Sequence, residues 1–191
     1  FTYEAKSLPY PIDTSYYDNE KHTQADALSV IPFMDEMNYE GLSVSGLSDG
    51  YYGLTIGGEF IGRFTARELE RGINMALLQN TPQYKQAMKI RQMNEERWLK
   101  ERKMREFYWV EYNLMRKTGM LWACNEAAVD TLRKYRPHDI FLQWNGALWL
   151  QYMHKGIRED CVNEQQDLVN QIYEQNKPIP LRIEIKKFTD L

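Results

Sequence analysis

The stretch Tyr51–Phe64, YYGLTIGGEFIGRF, decides the fold, because it reads as two short alternating runs joined at Gly57-Gly58. Alternation of apolar and polar residues predicts strands, and a glycine pair between two such runs is typical of a tight hairpin turn. The run Leu42–Ser45 also alternates. Residues 39–64 are therefore predicted to form a three-strand meander.

The remaining sequence predicts an arm, a helical region and a last strand. Residues 1–64 are predicted to be mostly β arm and meander, residues 65–176 helical, and residues 177–191 a C-terminal strand. Strand-like runs at both ends indicate that both termini join one sheet. The predicted fold class is α+β: a small antiparallel sheet, made by the N-terminal arm, the meander and the C-terminal strand, with a long projecting helix and a helical bundle.

The chain is predicted to be one α+β region, 1–191, cut from a longer polypeptide. Its opening, Phe1-Thr2-Tyr3-Glu4-Ala5, is already strand-like. In the arm, prolines block long helices over residues 1–34, and a short helical stretch is predicted around Asp26–Leu28.

Capping patterns predict where the helices begin. Thr65-Ala66-Arg67-Glu68 is a capping box, so a helix is predicted from Thr65 to about Asn80. Thr81-Pro82 predicts the start of a long helix over 82–118, with Gly119 as its C-terminal stop. Three more helices are predicted after it, separated by Arg136-Pro137 and by Gly156: Ala123–Tyr135, Asp139–His154 and Arg158–Asn176.

The middle of the long helix is strongly charged, with eight Lys or Arg against three Glu between Lys85 and Arg105. One interpretation is a basic surface for an anionic partner, or a surface through which the helix 82–118 forms a homodimer. The other is a solvated helix projecting from the body. Pairs at i, i+4 spacing, Glu96–Lys100 and Glu101–Arg105, favour the solvated helix.

Composition excludes several classes of protein. A hydrophobic content of 43% and an aromatic content of 13% are enough for a folded core, and the net charge of −3 argues against nucleic-acid binding. No apolar run approaches the roughly 20 residues that span a bilayer. Cys124 and Cys161 are too few for a disulfide framework, and both a pair and two free thiols remain open.

Gly46-Leu47-Ser48-Asp49-Gly50 matches the G-x-S-x-G pattern of an esterase nucleophile elbow. An elbow requires a helix after the serine, whereas a strand-like run follows Gly50. Ser48 is therefore predicted to lie in a strand–turn–strand hairpin. A self-contained hydrolase using Ser48 is the least favoured function, because a serine without a neighbouring base is a weak nucleophile.

The sequence predicts no catalytic residue, no metal and no cofactor. His22, His138 and His154 have no metal-ligand spacing, and Asp139 is a natural helix cap. The aromatic helix 139–154 could present a sugar-binding face, although rings at helical spacing are more often core. Its large apolar residues are Phe141, Trp144, Leu148, Trp149 and Tyr152.

The run VSGLSDGYYGLTIGGEFIGRFTARELERGINMALL (44–78), followed by NTPQYKQA (80–87), resembles the C-terminal region of one group of SGNH (GDSL-type) hydrolases. SLPYPID (7–13) resembles the arm that precedes this hairpin in that group. The resemblance covers about 1–15 and 39–90. Gly58 and Met75 are mild departures from the pattern of the group.

The resemblance implies a secreted or periplasmic esterase acting on acyl or carbohydrate esters, with this chain as its accessory post-catalytic lobe. The catalytic residues of the family cannot be placed here, since the chain has neither Gly-Asp-Ser nor Asp-x-x-His. The implied partner is an N-terminal SGNH catalytic domain. Within Gly72-Ile73-Asn74 and at Asn80, we predict substrate-binding or lobe-contact candidates, chiefly Asn74 and Asn80. The alternative is a stand-alone carbohydrate- or protein-binding module.

Overall fold

The computed structural model of this protein describes residues 1–12 and 23–188. The chain forms two compact units: unit 1 comprises Phe1–Arg91 and the segment from Glu174 onward, and unit 2 comprises Gln92–Tyr173. Residues 13–22 of the predicted arm, with His22, lie outside the described residues.

The elements confirm the predicted α+β class. The strands are β1 (Thr2–Tyr3), β2 (Gly41–Leu42), β3 (Tyr51–Ile56), β4 (Glu59–Thr65), β5 (Ile73–Asn74) and β6 (Leu181–Lys187). The helices are α1 (Phe33–Glu36), α2 (Ala66–Arg71), α3 (Pro82–Val110), α4 (Glu126–Tyr135), α5 (Ile140–Tyr152) and α6 (Lys155–Gln175). Short 3₁₀ segments cover Gln24–Ser29, Met75–Leu77 and Arg136–His138, and a π-helical turn covers Glu111–Met115. None of the helices in the described part of the chain is both long and apolar enough to cross a bilayer.

The main sheet of unit 1 is antiparallel, in the order β1-β6-β3-β4. The prediction that both termini join one sheet is confirmed, because β6 lies between β1 and β3. The predicted hairpin at Gly57-Gly58 is also confirmed: both residues have positive φ, 59° and 87°. Glycine adopts this conformation at little cost, as a two-residue hairpin turn requires.

The three-strand meander is wrong in one respect. The first predicted strand contributes only Gly41–Leu42, and it pairs with Ile73–Asn74 in a separate two-stranded sheet. Both edges of β3 are already occupied, by β4 and β6. Residue Val44 instead donates its backbone N–H to the carbonyl of Leu69, 2.8 Å away, at the end of α2.

The capping box at Thr65 is confirmed, but the length of its helix was wrong. Thr65 Oγ1 accepts from the Glu68 N–H at 3.2 Å, and Glu68 Oε2 accepts from the Thr65 N–H at 2.6 Å. Gly72, with φ of 91°, ends the helix after Arg71 instead of near Asn80. The chain then turns into β5. Because Leu69, Ile73 and Ala76 have helical spacing, the sequence predicted a helix where this strand forms.

The long helix begins at Pro82 as predicted, with Thr81 Oγ1 accepting from the Tyr84 N–H at 3.3 Å. After Val110 the helix widens into the π-helical turn Glu111–Met115. Gly119 then has φ of 75°, consistent with its predicted role as the stop.

Several charges of α3 are paired within unit 2. Glu96–Lys100 (3.7 Å) and Glu101–Arg105 (3.9 Å) form as predicted. Lys100 also donates to Glu164 of α6 at 2.6 Å. This pairing favours a solvated face over a basic binding surface.

Unit 2 has one core, to which α3 contributes Met104, Phe107 and Val110. Asn125 and Asp139 cap α4 and α5 with their side-chain oxygens, so the predicted Asp139 cap is confirmed. The predicted break between the last two helices is confirmed, but it falls between Tyr152 and Lys155, and Gly156 lies in the first turn of α6.

The core of unit 1 lies between the main sheet and the segments that follow α2. Its fully buried members include Leu54, Ile56, Met75 and Ile183, with Leu69 in an adjoining cluster. Ile12, Met34 and Ala76 form a smaller cluster beneath the arm. The fully buried side chains of the main sheet therefore lie on its two central strands, β3 and β6. Strands β1 and β4 are its edge strands.

Candidate functional site

The loop that carries Ser48 is not a nucleophile elbow. Ser48 lies between β2 and β3, and a strand follows it instead of a helix. The chain bends at Asp49-Gly50, but the predicted hairpin is wrong, since β2 and β3 do not pair with each other. The sharp strand-to-helix geometry that exposes a catalytic serine is therefore absent at Ser48.

Ser48 has a cationic neighbour that sequence reasoning missed. Lys187 Nζ donates to Ser48 Oγ at 2.9 Å from 139 residues away. Tyr52 donates its hydroxyl to the Ser48 carbonyl at 2.9 Å, and its oxygen lies 3.2 Å from Ser48 Oγ. These hydrogen bonds tie the Ser48 loop to Tyr52 of β3 and to Lys187 at the end of β6. No spacing in the sequence relates Lys187 to Ser48; only the pairing of β6 with β3 does.

Asn74 is the centre of a polar cluster in unit 1. Its Oδ1 accepts from the backbone N–H groups of Glu40 (2.9 Å) and Ala76 (3.1 Å). Its Nδ2 donates to the carbonyls of Met34 (2.9 Å) and Asn38 (3.0 Å). The four hydrogen bonds use the full capacity of the amide, so this side chain holds β2, β5 and the end of α1 together.

Glu40 extends this cluster to β1. The Tyr3 hydroxyl donates to Glu40 Oε1 at 2.6 Å. Burial raises the pKa of Tyr3 well above its ordinary value, and the hydrogen bond to Glu40 and its charge add to the effect. The Tyr3 phenol therefore stays protonated and serves as a donor that fixes the first strand.

Asn80 forms fewer hydrogen bonds than Asn74. It is exposed, and its Nδ2 donates to the Ile61 carbonyl at 2.8 Å, which ties the segment before α3 to β4. The structure does not bring Asn74 and Asn80 into one site. Of the two candidates, Asn80 is the one whose position leaves it accessible to another lobe.

The most constrained polar site of unit 2 was not predicted. Glu111 is 1% exposed and lies in the π-helical turn. Its Oε1 accepts from Trp149 Nε1 at 2.7 Å, and its Oε2 accepts from the Trp122 N–H at 2.8 Å. Trp122 has φ of 60°, a strained value for a bulky residue. One signal for this site was available: Glu111 is a lone acid in the aromatic run from Phe107 to Tyr112.

Within the described residues, the thiols and histidines do not assemble into a metal site. Both cysteines are free, Cys124 exposed and Cys161 buried. Cys124 Sγ lies 3.4 Å from His154 Nδ1, and this exposed pair has no third ligand. Over residues 1–12 and 23–188, no three His, Cys, Asp or Glu side chains are grouped to hold a metal ion. His22 lies outside the described residues.

The rings of the aromatic helix lie in two different environments, the core and the solvent-exposed surface. Trp149 and Tyr152 are 0% and 6% exposed and belong to the core. Burial raises the pKa of Tyr152 to about 12, with a contribution from its hydrogen bond to Cys161. Phe141 and Trp144 are 50% and 66% exposed. The core interpretation holds for the second half of the helix, and the first half presents its rings to solvent.

Comparison with known proteins finds one family model and one solved structure that are similar to this chain. Residues 88–177 match a family model described as the diltiazem deacetylase C-terminal helical domain. Unit 2 is similar to that helical domain. The matched range nearly coincides with unit 2, Gln92–Tyr173, so the family boundary and the compact unit agree.

The similarity extends beyond the helical unit. A solved structure described as a gut microbial diltiazem-metabolizing enzyme has 37% sequence identity to this chain, with a TM-score of 0.89. The match covers 98% of this chain and 42% of that enzyme, so the chain spans less than half the length of the protein it resembles. No curated protein matches the chain. The findings identify similarity to the C-terminal part of an esterase-type hydrolase.

Proposed function

We propose that this chain is the accessory C-terminal lobe of an SGNH-type serine esterase, whose preceding catalytic domain hydrolyses acyl or carbohydrate esters. The observation that carries the proposal is the 37% identity over 98% of the chain to an enzyme of which it spans 42%. Both units are included in that match. The remaining length of such an enzyme is sufficient for a separate catalytic domain.

The surroundings of Ser48 support a catalytic site for ester hydrolysis in another part of the protein. Acyl transfer by serine needs a base that takes the hydroxyl proton and donors that stabilise the oxyanion. The hydroxyl of Ser48 instead receives a hydrogen bond from Lys187, in a loop followed by a strand. Ser48 thus matches the sequence pattern of a nucleophile, but its hydrogen bonds join its loop to neighbouring strands.

The proposed role of the lobe is structural. The edge strand β1 contains Thr2 and Tyr3, and the Phe1 nitrogen donates to the Ile183 carbonyl at 3.0 Å. A polypeptide joined to Phe1 would thus leave from an edge of the main sheet, where another lobe can add hydrogen bonds to an exposed strand. Asn74 and Asn80 both stay lobe-contact candidates, and Asn80, which bonds to β4, is the more exposed of the two. Homodimerisation through the helix 82–118 and a secreted or periplasmic location stay parts of this proposal.

The test compares three polypeptides: this chain, its Ser48→Ala variant, and a longer polypeptide in which the SGNH catalytic domain precedes Phe1. Each is assayed for hydrolysis of p-nitrophenyl acetate and of an acetylated xylo-oligosaccharide. We expect turnover only from the longer polypeptide, and association of the two lobes when they are mixed as separate chains. Turnover by this chain that is lost in Ser48→Ala would overturn the proposal.

Two further measurements address assembly and location. Sedimentation of the longer polypeptide tests the homodimer, and a charge reversal at Arg102, on the outer face of α3, tests whether the helix carries it. Fractionation of cells that produce the complete protein tests the secreted or periplasmic location, and recovery in the cytoplasm would contradict it.

A further inference from the structure

Unit 2 contains a cleft beside the π-helical turn. The cleft has a volume of about 370 Å³. Its walls come from the end of α3, the π-helical turn, the segment after it, the end of α4, the 3₁₀ turn before α5 and the start of α5. The lining residues are Trp109, Asn113, Leu114, Lys117, Thr118, Tyr135, His138, Asp139 and Leu142.

A strip of aromatic rings, Trp109, Phe141 and Trp144, continues from the cleft wall. The rings of Trp109 and Phe141 lie 5.3 Å apart at an interplanar angle of 39°. Those of Phe141 and Trp144 lie 5.5 Å apart, nearly perpendicular at 82°. The strip therefore runs from inside the cleft to a tryptophan that is 66% exposed.

Core packing does not account for the outer two rings. The buried positions of α5 are Leu142, Gly146, Trp149 and Tyr152, which recur every three or four residues and form its core stripe. Phe141 and Trp144 fall outside that stripe. The Asp139 cap holds the backbone of the first turn of α5, since its carboxylate accepts from the N–H groups of Phe141 and Leu142 at 2.8 and 3.2 Å. Exposed rings held side by side are the kind of apolar surface that marks a binding site.

Polar side chains face the same cleft. Lys117 and His138 are exposed at its rim, and Asn113 lies one helical turn from Trp109, to whose carbonyl it donates at 3.0 Å. A ligand for this site must present an apolar face to the rings and hydrogen-bonding groups to the rim. A continuous apolar helix from another protein would leave the rim groups unpaired, which is unfavourable once they are buried.

We propose that this cleft and its aromatic strip bind a pyranose oligosaccharide. A pyranose ring has a face of C–H groups, which stacks on an aromatic ring, and a perimeter of hydroxyls, which accept from and donate to polar side chains. One sugar ring stacks on Trp144, with Phe141 nearly perpendicular beside it, and the next enters the cleft against Trp109. Lys117 donates to hydroxyl or carboxylate oxygens of that second ring. A pocket of mostly apolar lining with a few convergent polar groups is typical of small-ligand sites.

Isothermal titration of the purified chain tests the proposal with three soluble probes: xylohexaose, cellohexaose and hexagalacturonate. We expect binding of at least one of them, and a loss of affinity of roughly tenfold or more in Trp144→Ala, by analogy with the loss of a stacking ring in other ring-binding proteins. Trp98→Ala is the matched control. Trp98 is 42% exposed on α3 and lies outside the cleft lining, so its removal is expected to leave binding unchanged.

The probes and variants separate the outcomes. Lys117→Ala should weaken binding of the uronate probe more than that of a neutral one, because only the former presents carboxylates to the ammonium group. Phe141→Ala provides a second test of the strip, with circular dichroism to verify folding. No binding of any probe by the folded chain overturns the proposal, and so does binding that Trp144→Ala and Phe141→Ala leave intact. Both results are independent of whether a preceding domain hydrolyses esters.

Discussion

Glu111 accepts a 2.7 Å hydrogen bond from the indole Nε1 of Trp149, across 38 residues of sequence. Both groups are buried, at 1% and 0% exposure. The other carboxylate oxygen holds the N–H of Trp122, whose backbone is strained. One side chain in the π-helical turn therefore joins α5 and the loop after α3. A carboxylate is a strong acceptor, and its hydrogen bonds offset part of the cost of its burial and of the strained turn.

Glu111→Gln should destabilise unit 2. A glutamine has only one acceptor oxygen. Its NH2 group would therefore face either Trp149 Nε1 or the Trp122 N–H, and two donors cannot form a hydrogen bond with each other. We expect the free energy of unfolding to fall by about 1–3 kcal/mol, the usual cost of an unpaired buried group. Urea unfolding followed by tryptophan fluorescence measures it.

The control for this variant is Glu95→Gln, on the exposed side of α3. A substitution at an exposed site away from special features usually changes stability by less than about 0.5 kcal/mol. Equal effects of the two variants would show that the Glu111 hydrogen bonds contribute nothing beyond a surface charge.

Gly72→Ala should be destabilising, and Gly156→Ala should be neutral or stabilising. Gly72 ends α2 with φ of 91°, and this conformation costs an alanine about 1 kcal/mol or more. Gly156 lies in α6, and a Cβ there would meet no atom within 4 Å. Helix propensity then favours alanine by up to about 1 kcal/mol. Opposite shifts in melting temperature are expected, and shifts of the same sign would contradict the assignment of the α2 terminus.

Asn74→Asp should cost more stability than Asn80→Asp. The first substitution removes both donors from Nδ2, leaving the carbonyls of Met34 and Asn38 without their partner. We expect a loss of about 2–3 kcal/mol, against about 1 kcal/mol for the single bond of Asn80. Chemical denaturation of the two variants gives the comparison. If Asn80→Asp also weakens association with a separately produced catalytic domain, the lobe-contact prediction for Asn80 gains support.

The Lys100–Glu164 pair should make stability depend on pH. The hydrogen bond from Lys100 lowers the pKa of Glu164 below its ordinary 4.5. The same bond raises the pKa of Lys100 above 10.5. A lowered carboxyl pKa stabilises the fold above pH 4.5, and that contribution is lost as the pH falls through the folded-state value.

Glu164→Gln should therefore be less stable than the parent chain at pH 7, with the difference disappearing in acid. Because Glu164 is exposed, the difference is expected to be small and to shrink in high salt. Melting curves from pH 7 to pH 3 measure it. A difference that persists at pH 3 would mean that the ion pair is not its source.

Local patterns in the sequence were sufficient for the elements whose boundaries are fixed by short-range chemistry. The capping box at Thr65, the Thr81-Pro82 start, the Asp139 cap and the Gly57-Gly58 turn were all predicted and all form. Each depends on side chains within three or four residues of the backbone groups that they satisfy. The resemblance to an esterase C-terminal region also came from sequence, and the comparisons support it at the level of an esterase-type hydrolase.

Local patterns failed where the partner of a strand or side chain is distant. The sequence did not show that β2 pairs with β5, because Ile73 fits a helical stripe as well as a strand. It did not place Lys187 beside Ser48, or Trp149 beside Glu111. In the candidate site, it named the aromatic helix but could not separate the buried Trp149 from the exposed Trp144, since both are apolar residues on one helix.

The sequence by itself determined the α+β class, most helix starts and the hairpin at Gly57-Gly58. The tertiary structure decided the strand order, the end of α2, the role of Ser48, the buried carboxylate of Glu111 and the rings that face solvent. The physical reason is the range of the interactions. Capping and turn formation act over a few residues, whereas strand pairing, burial and long-range hydrogen bonds depend on groups that only the folded chain brings together.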